Sequence, residues 1–301
     1  MYAIIGATGN IGSKTADLLL ARGERVRVIG RDAAKLQRFV AKGAEAMVGD
    51  LKDEGFLTRA LTDVSALFAM IPPAYTEVDF RAYQREVGEN IVTAIKRAGI
   101  RHVVNLSSQG AELAAGTGPI VGLHDQEERL NRLDGVNVLH LRPTYFMENL
   151  LVNIPLIRER GITGSAVEGN LRFAMIATRD IAAHLAERLV KRNFGGKLVQ
   201  DLLGERDLSL AEATTIIGRK IGKPELTYVQ FPYGDAEAAM INMGLTPDMS
   251  RLYIEMSKAL NNGLFAVNRP RTAGNTTPTS MEEFAVTFAE IYGASTERHA
   301  A

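Results

Sequence analysis

The first 23 residues constrain the chain more than any other stretch. Tyr2-Ala3-Ile4-Ile5 is a short apolar run ending at Gly6, and residues 11–22 carry apolar side chains at helical spacing before Gly23 closes them. Between the two stands Gly6-Ala7-Thr8-Gly9-Asn10-Ile11-Gly12, so a strand passes into a helix through a turn with glycine at every third position. Glycine lets the backbone approach a pyrophosphate, and the start of the helix offers it unsatisfied N–H groups and positive potential. A ligand-free turn would use the same residues, and glycines alone are weak evidence. The context decides for a dinucleotide.

That context is a repeated rhythm. Apolar runs at 26–29, 46–48, 66–71, 103–106 and 136–141 alternate with helical patterns at 34–40, 54–61, about 79–98 and about 125–133. Strands alternating with helices imply a parallel sheet with helices on both faces, here an α/β Rossmann-type doubly wound sheet. Beyond Asn149 the rhythm loosens at Gly161, Gly164 and Gly169. A strand at 173–176 and a helix at 179–190 are read as returning to the first domain. The predicted layout is a Rossmann domain over 1–152, rejoined by about 173–200, and a smaller C-terminal substrate region over 201–301 together with 153–172. Helices are expected there near 210–221, 247–260 and 280–292, and a frayed tail at 296–301.

Composition narrows the function. The 301 residues are 46% hydrophobic, enough for one large or two modest domains, and 35 basic residues balance 35 acidic ones. A neutral total gives no pull toward nucleic acid or an anionic membrane, so neither is expected as a direct partner. Without cysteine there is no disulfide framework, thiolate nucleophile or Cys-ligated metal. No apolar run approaches the roughly 20 residues that span a bilayer, and no leader pattern opens the sequence, so a cytoplasmic location is expected. No two histidines stand at metal-ligand spacing, and no metal is predicted.

The second strand selects the cofactor. An NAD enzyme commonly ends it on an acid that meets the ribose 2′-hydroxyl, whereas this chain has Gly30-Arg31. Arg31, with Lys35 one helical turn on, suits a 2′-phosphate, which a carboxylate would repel. NADP(H) is the expected cofactor, although both cations would serve equally as a solvated helix start. Asp50, directly after the third strand, can meet the adenine amine, with Leu51 packing beside it.

Six segments together resemble one family. GATGNIG, VIGR, NLSSQGAE (105–112), LRPTYFMENL (141–150), IATRDIA (176–182) and TPTSMEEFA (277–285) resemble the NmrA-like, atypical short-chain dehydrogenase/reductases, which include type 2 NADPH:quinone oxidoreductases and azoreductase-like proteins. The resemblance covers nearly the whole chain. It implies a Rossmann domain with a smaller C-terminal region and a nicotinamide in the cleft between them. It also implies Gly6, Thr8, Gly9, Asn10, Ile11 and Gly12 at the pyrophosphate and Arg31 at the adenosine phosphate. Met70, Ile71 and Pro72 would follow the ribose path, Ser107 and Ser108 would stand where the wider superfamily keeps its catalytic serine, and Tyr145, Phe146 and Asn149 would border the nicotinamide.

One departure bears on mechanism. Active classical members carry Tyr-x-x-x-Lys, whose tyrosine acts as acid or base; here Gly122-Leu123-His124-Asp125-Gln126-Glu127-Glu128 occupies that helix. His124 aligns with the position held by lysine or histidine in the family. It suits a contact to the nicotinamide ribose or amide, or equally a plain helix-start residue. Tyr145 can donate to an acceptor oxygen or simply pack, Ser107 is a cofactor contact or a strand-end hydroxyl, and Gln126-Glu127-Glu128 reads as a solvated helix face. Two functions remain open. One is an NADPH-dependent oxidoreductase passing hydride to a small quinone-like or azo-like acceptor, with His124 and Tyr145 as its catalytic candidates. The other is an NADP(H) sensor that binds a regulatory protein partner; a homo-oligomer suits either.

Overall fold

The computed structural model describes residues 1–265 and 270–297, with side chains to residue 294. The chain packs as two compact units: Met1–Pro143 with Arg179–Asp201, and Thr144–Thr178 with the chain from Leu202 on.

The first unit realises the strand–helix rhythm. In chain order it runs β1 (Tyr2–Ile5), α1 (Asn10–Ala21), β2 (Val26–Gly30), α2 (Ala33–Val40), β3 (Glu45–Val48), α3 (Glu54–Ala60), β4 (Ala66–Ala69), α4 (Phe80–Ala98), β5 (His102–Leu106), α5 (Val121–Asn131) and β6 (Asn137–Pro143). The second unit then opens with β7 (Tyr145–Phe146), α6 (Ile154–Arg160), β8 (Ile162–Ser165) and β9 (Phe173–Ile176). The chain returns to the first unit for α7 (Thr178–Lys191) and β10 (Lys197–Leu202). It ends in the second with β11 (Asp207–Leu208), α8 (Leu210–Lys220), β12 (Thr227–Gln230), α9 (Tyr233–Asn242), α10 (Pro247–Asn261) and α11 (Met281–Glu297).

The main sheet has the order β10-β6-β5-β4-β1-β2-β3. The five junctions from β6 to β3 are parallel. Successive side chains on a strand face opposite sides, and every residue of β1 and β4 is buried, so both sheet faces are covered. Local chemistry sets the helix limits. In α4, Asp79 accepts the Ala82 N–H at 2.7 Å, and Gly99 closes the helix with φ 68°, a left-handed conformation that glycine adopts without strain. Because β1 pairs with β2 on one side and β4 on the other, the strand order reverses at β1, the point where doubly wound sheets open a crevice at their carboxyl ends.

The second unit is built from small sheets and helices. β9 pairs in parallel with β7 and antiparallel with β11, while β8 pairs in parallel with β12. Its core gathers Met147, Ile157, Met175, Ile217, Met281 and Phe288. The TPTSMEEFA segment is a helix start: Ser280 N–H donates to Glu283, whose own N–H donates back to Ser280 Oγ.

Two expectations change here. The 173–176 strand does not return to the main sheet, because the two-residue β7 directly after β6 gives it a nearer partner; the helix that follows it does return. The C-terminal region also holds α9, which sequence reading missed. Ala236 is the one residue of α9 that is buried, and the helix's apolar face is short, with only Tyr233 and Met240 packed partly buried beside it. His299 and the tail from residue 298 lie outside the described residues. Among the described residues no helix is long and apolar enough to cross a membrane.

Candidate functional site

The turn after β1 is held by backbone constraints. Gly6 has φ 70°, and its carbonyl accepts the Gly9 N–H at 2.9 Å. A Cβ on Gly6 would meet Met70 Sδ at 2.6 Å. One on Gly12 would meet the Gly6 carbonyl oxygen at 2.3 Å and its carbon at 2.8 Å. No side chain fits between the turn and the first coil of α1. The first helical bond is Ser13 N–H to Gly9 O at 3.0 Å, and Gly9 provides no side-chain cap. The N–H groups of Asn10, Ile11 and Gly12 therefore lie in the helix's opening turn, free of intrahelical partners and with no acid beside them. Such a cradle accepts an anion with its backbone.

The predicted adenosine residues gather beside this turn. A Cβ on Gly30 would lie 3.7 Å from Thr8 Cγ2, and Gly49 N–H donates to Gly30 O at 3.1 Å, so the ends of β2 and β3 adjoin the cradle. Arg31, Lys35 and Asp50 are exposed there, while Leu51 is buried. Asp32, which could repel a phosphate, is engaged: it accepts the Lys35 N–H at 3.2 Å and pairs with the Lys35 ammonium at 3.5 Å. Tyr83 stands within the fields of Arg31 and Asp50, and its phenol is pushed up to about 12, chiefly by burial. Met70 and Pro72 are half-buried and Ile71 is buried just past β4.

Past β5 the structure corrects the sequence reading. Glu127, expected on a solvated face, is buried, as is Gln126; only Glu128 of that run is exposed. Glu127 takes two N–H groups from Arg142, Nε at 2.9 Å and Nη2 at 2.6 Å, and the Ser107 hydroxyl donates to it at 2.5 Å. Arg142 Nη1 reaches Glu112 at 3.2 Å. A carboxylate buried in this way requires a cation and further donors, and Arg142 and Ser107 supply them. Ser107 therefore commits its hydroxyl to Glu127. Ser108 donates instead to the Gln109 carbonyl at 3.0 Å.

The histidines divide clearly. His124, half-buried in the first turn of α5, places Nδ1 2.9 Å from the Ala111 carbonyl. His140 is wholly buried between Asn105 at 3.2 Å and Asn131 at 3.0 Å, and burial lowers its pKa to about 4, so it is a neutral core residue. His102 bonds Asn137 and His184 bonds Gln200. Among the described residues no cluster of three or more His, Asp or Glu side chains could hold a metal ion.

In the second unit, Tyr145 and Phe146 form β7 and Asn149 is exposed in the turn that follows. The Tyr145 ring packs on Phe173 with centroids 5.3 Å apart. Burial raises the Tyr145 pKa above that of an ordinary phenol.

A parallel sheet reversing at β1, with an open glycine cradle at the reversal, defines a Rossmann dinucleotide-binding fold. The chain belongs to the NmrA-like family, which it matches over residues 2–285. An NAD(P)H azoreductase of Xenophilus azovorans is 29% identical over 301 residues, covering 98% of this chain and 100% of the relative. The fold is shared with an NADPH-dependent quinone oxidoreductase of Escherichia coli complexed with NADPH, at TM-score 0.71 and 24% identity over 98% of this chain and 100% of the other. It is shared equally with a triphenylmethane reductase of a Citrobacter species complexed with NADP(H), at TM-score 0.77 and 19% identity over 96% and 100%.

Proposed function

We propose that this chain is an NADPH-dependent oxidoreductase that passes hydride to a flat, electron-poor acceptor of the quinone or azo class. The cradle at Gly6–Gly12 carries the reading: backbone leaves no room for a Cβ on Gly12, and the opening N–H groups of α1 have no side-chain cap. The family and the azoreductase relative support it. A reduced dinucleotide fits the residues present. The opening N–H groups of α1 would hold its pyrophosphate, Arg31 and Lys35 its 2′-phosphate, Asp50 and Leu51 its adenine, and Met70, Ile71 and Pro72 its ribose path.

When bound, NADPH supplies the hydride, so the protein needs no covalent nucleophile. The chain's work is positioning. His124 contributes a ring nitrogen to binding, and the Tyr145 phenol donates toward the acceptor's oxygen or nitrogen. Phe146 and Asn149 would line the acceptor. Ser107 contributes through its place in the strand end, since Glu127 holds its hydroxyl.

The test mixes the pure protein with NADPH and a panel of quinones and azo compounds and follows loss of reduced-nicotinamide absorbance. Oxidation well above the uncatalysed rate is expected. Tight NADPH binding with no acceptor reduced would overturn the enzyme reading and support a sensor whose partner affinity follows the NADP(H) state, a reading favoured by the engaged Ser107 hydroxyl and the missing Tyr-x-x-x-Lys.

A further inference from the structure

The segment from Ser107 to Glu112 is anchored at short intervals. Ser107 N–H donates to Leu141 O at 2.7 Å and Gln109 N–H to Pro143 O at 3.0 Å, which carries the β5–β6 ladder past the strand ends. Glu112 accepts the Gly110 N–H at 3.2 Å and pairs with Arg142 Nη1 at 3.2 Å, while Arg142 grips Glu127 from the other side. Ala111 lies between these anchors, is fully buried, and its backbone is held by its own N–H to Ser108 O at 3.1 Å and by Leu113 N–H to Gly110 O at 3.1 Å.

The Ala111 carbonyl meets His124 Nδ1 at 2.9 Å. A carbonyl oxygen only accepts, so Nδ1 carries the proton, and Nε2 of the neutral ring is a bare lone pair. Among the described residues Nε2 has no hydrogen-bond partner.

We infer that Glu112 and Arg142 are positioning residues for His124: by holding the Ala111 carbonyl they fix the Nδ1–H tautomer, leaving Nε2 to accept from a hydroxyl or amide N–H of the bound dinucleotide. This rests on the dinucleotide-binding reading above. It gives His124 a binding role, with Nε2 of the neutral ring as the acceptor. Other donors in the network are spent: Ser107 on Glu127, and the Arg142 fork on two carboxylates.

The test is a two-bond 15N–1H correlation spectrum of the imidazoles, recorded on wild type at a pH where the ring is neutral, with His124→Gln identifying the resonance. The Nδ1–H pattern is expected, and an Nε2–H pattern overturns the inference without any appeal to variants. Glu112→Ala should admit the second tautomer and weaken NADPH binding about three- to tenfold, the size of one lost hydrogen bond. Glu112→Gln, which keeps an acceptor for both Gly110 N–H and Arg142, should restore both readouts. A tautomer unchanged in Glu112→Ala contradicts the positioning role. If wild type shows the expected tautomer and its response to Glu112→Ala but binds no NADPH, the cofactor reading falls while the tautomer control stands.

Discussion

Four helices of the first unit begin at the carboxyl end of the same sheet, and they begin in two ways. Those following β2, β3 and β4 start at Asp32, Asp53 and Asp79, each of which accepts a backbone N–H three residues on. The helix following β1 starts at Gly9 with no side-chain cap. An aspartate cap satisfies one of the first-turn donors and places a negative charge on the positive helix end. Its omission at α1 leaves donors and potential for something outside the chain, at the point where the strand order reverses. The same structural position thus carries a capping aspartate three times and is left open once, where the proposed pyrophosphate site lies.

Gly12→Ala should break this contrast most severely. Its Cβ would strike backbone atoms that have no flexible end to yield, so overpacking of about 1–3 kcal/mol or more is expected, together with loss of measurable NADPH binding. Calorimetric titration alongside thermal unfolding reads both effects. Gly9→Ala sharpens the point, because its Cβ would meet only the Gly6 oxygen at 3.4 Å and should be far better tolerated. Arg31→Ala comes next. Loss of a charge-assisted contact to the 2′-phosphate should cost about 1.5–3 kcal/mol of NADPH binding, more than tenfold in Kd, and leave NADH binding unchanged. Equal loss for both cofactors would remove Arg31 from the selectivity account.

The capped helices should answer in the opposite currency. Asp53→Ala is expected to lower unfolding stability by about 1 kcal/mol and leave NADPH affinity as it was, checked by denaturant unfolding and titration of the same preparation. Asp32 adds a pH dependence. The Lys35 N–H holds its carboxyl below the ordinary carboxylate range, so the folded state binds the proton less readily than the unfolded chain. Its contribution is therefore present above the unfolded value near pH 4 and is lost as pH falls through the lower folded value. Asp32→Asn, which caps without titrating, should lack this contribution at neutral pH and converge on wild type as pH falls through the folded value; a difference in stability that stays constant across that range would contradict the charged cap.

The contrast also explains what could be read from sequence. The turn was legible because its causes are local: Gly6 needs its φ, Gly12 has no room, and apolar runs frame them. The buried state of Glu127 was not legible, because its partner Arg142 is 15 residues away and arrives through β6. A glutamate beside another glutamate on a helix looks solvated until the neighbouring strand is in place. The 173–176 strand was misplaced for a related reason: its apolar pattern shows that it is a strand, while its partners, β7 and β11, are each two residues long and carry no periodicity. Tyr145, Phe146 and Asn149 are nominated by family resemblance alone, since nothing in their spacing marks a site.

In the proposed reaction the open start of α1 holds a reduced dinucleotide whose hydride passes to the acceptor. In a single-turnover experiment, wild type and Gly12→Ala, each premixed with NADPH at a concentration that saturates wild type, are mixed with a benzoquinone and nicotinamide absorbance is followed. The account predicts one fast oxidation phase in wild type and only the uncatalysed rate in the variant. Oxidation at the same rate in both, or NADPH that stays bound and reduced in wild type, would contradict it.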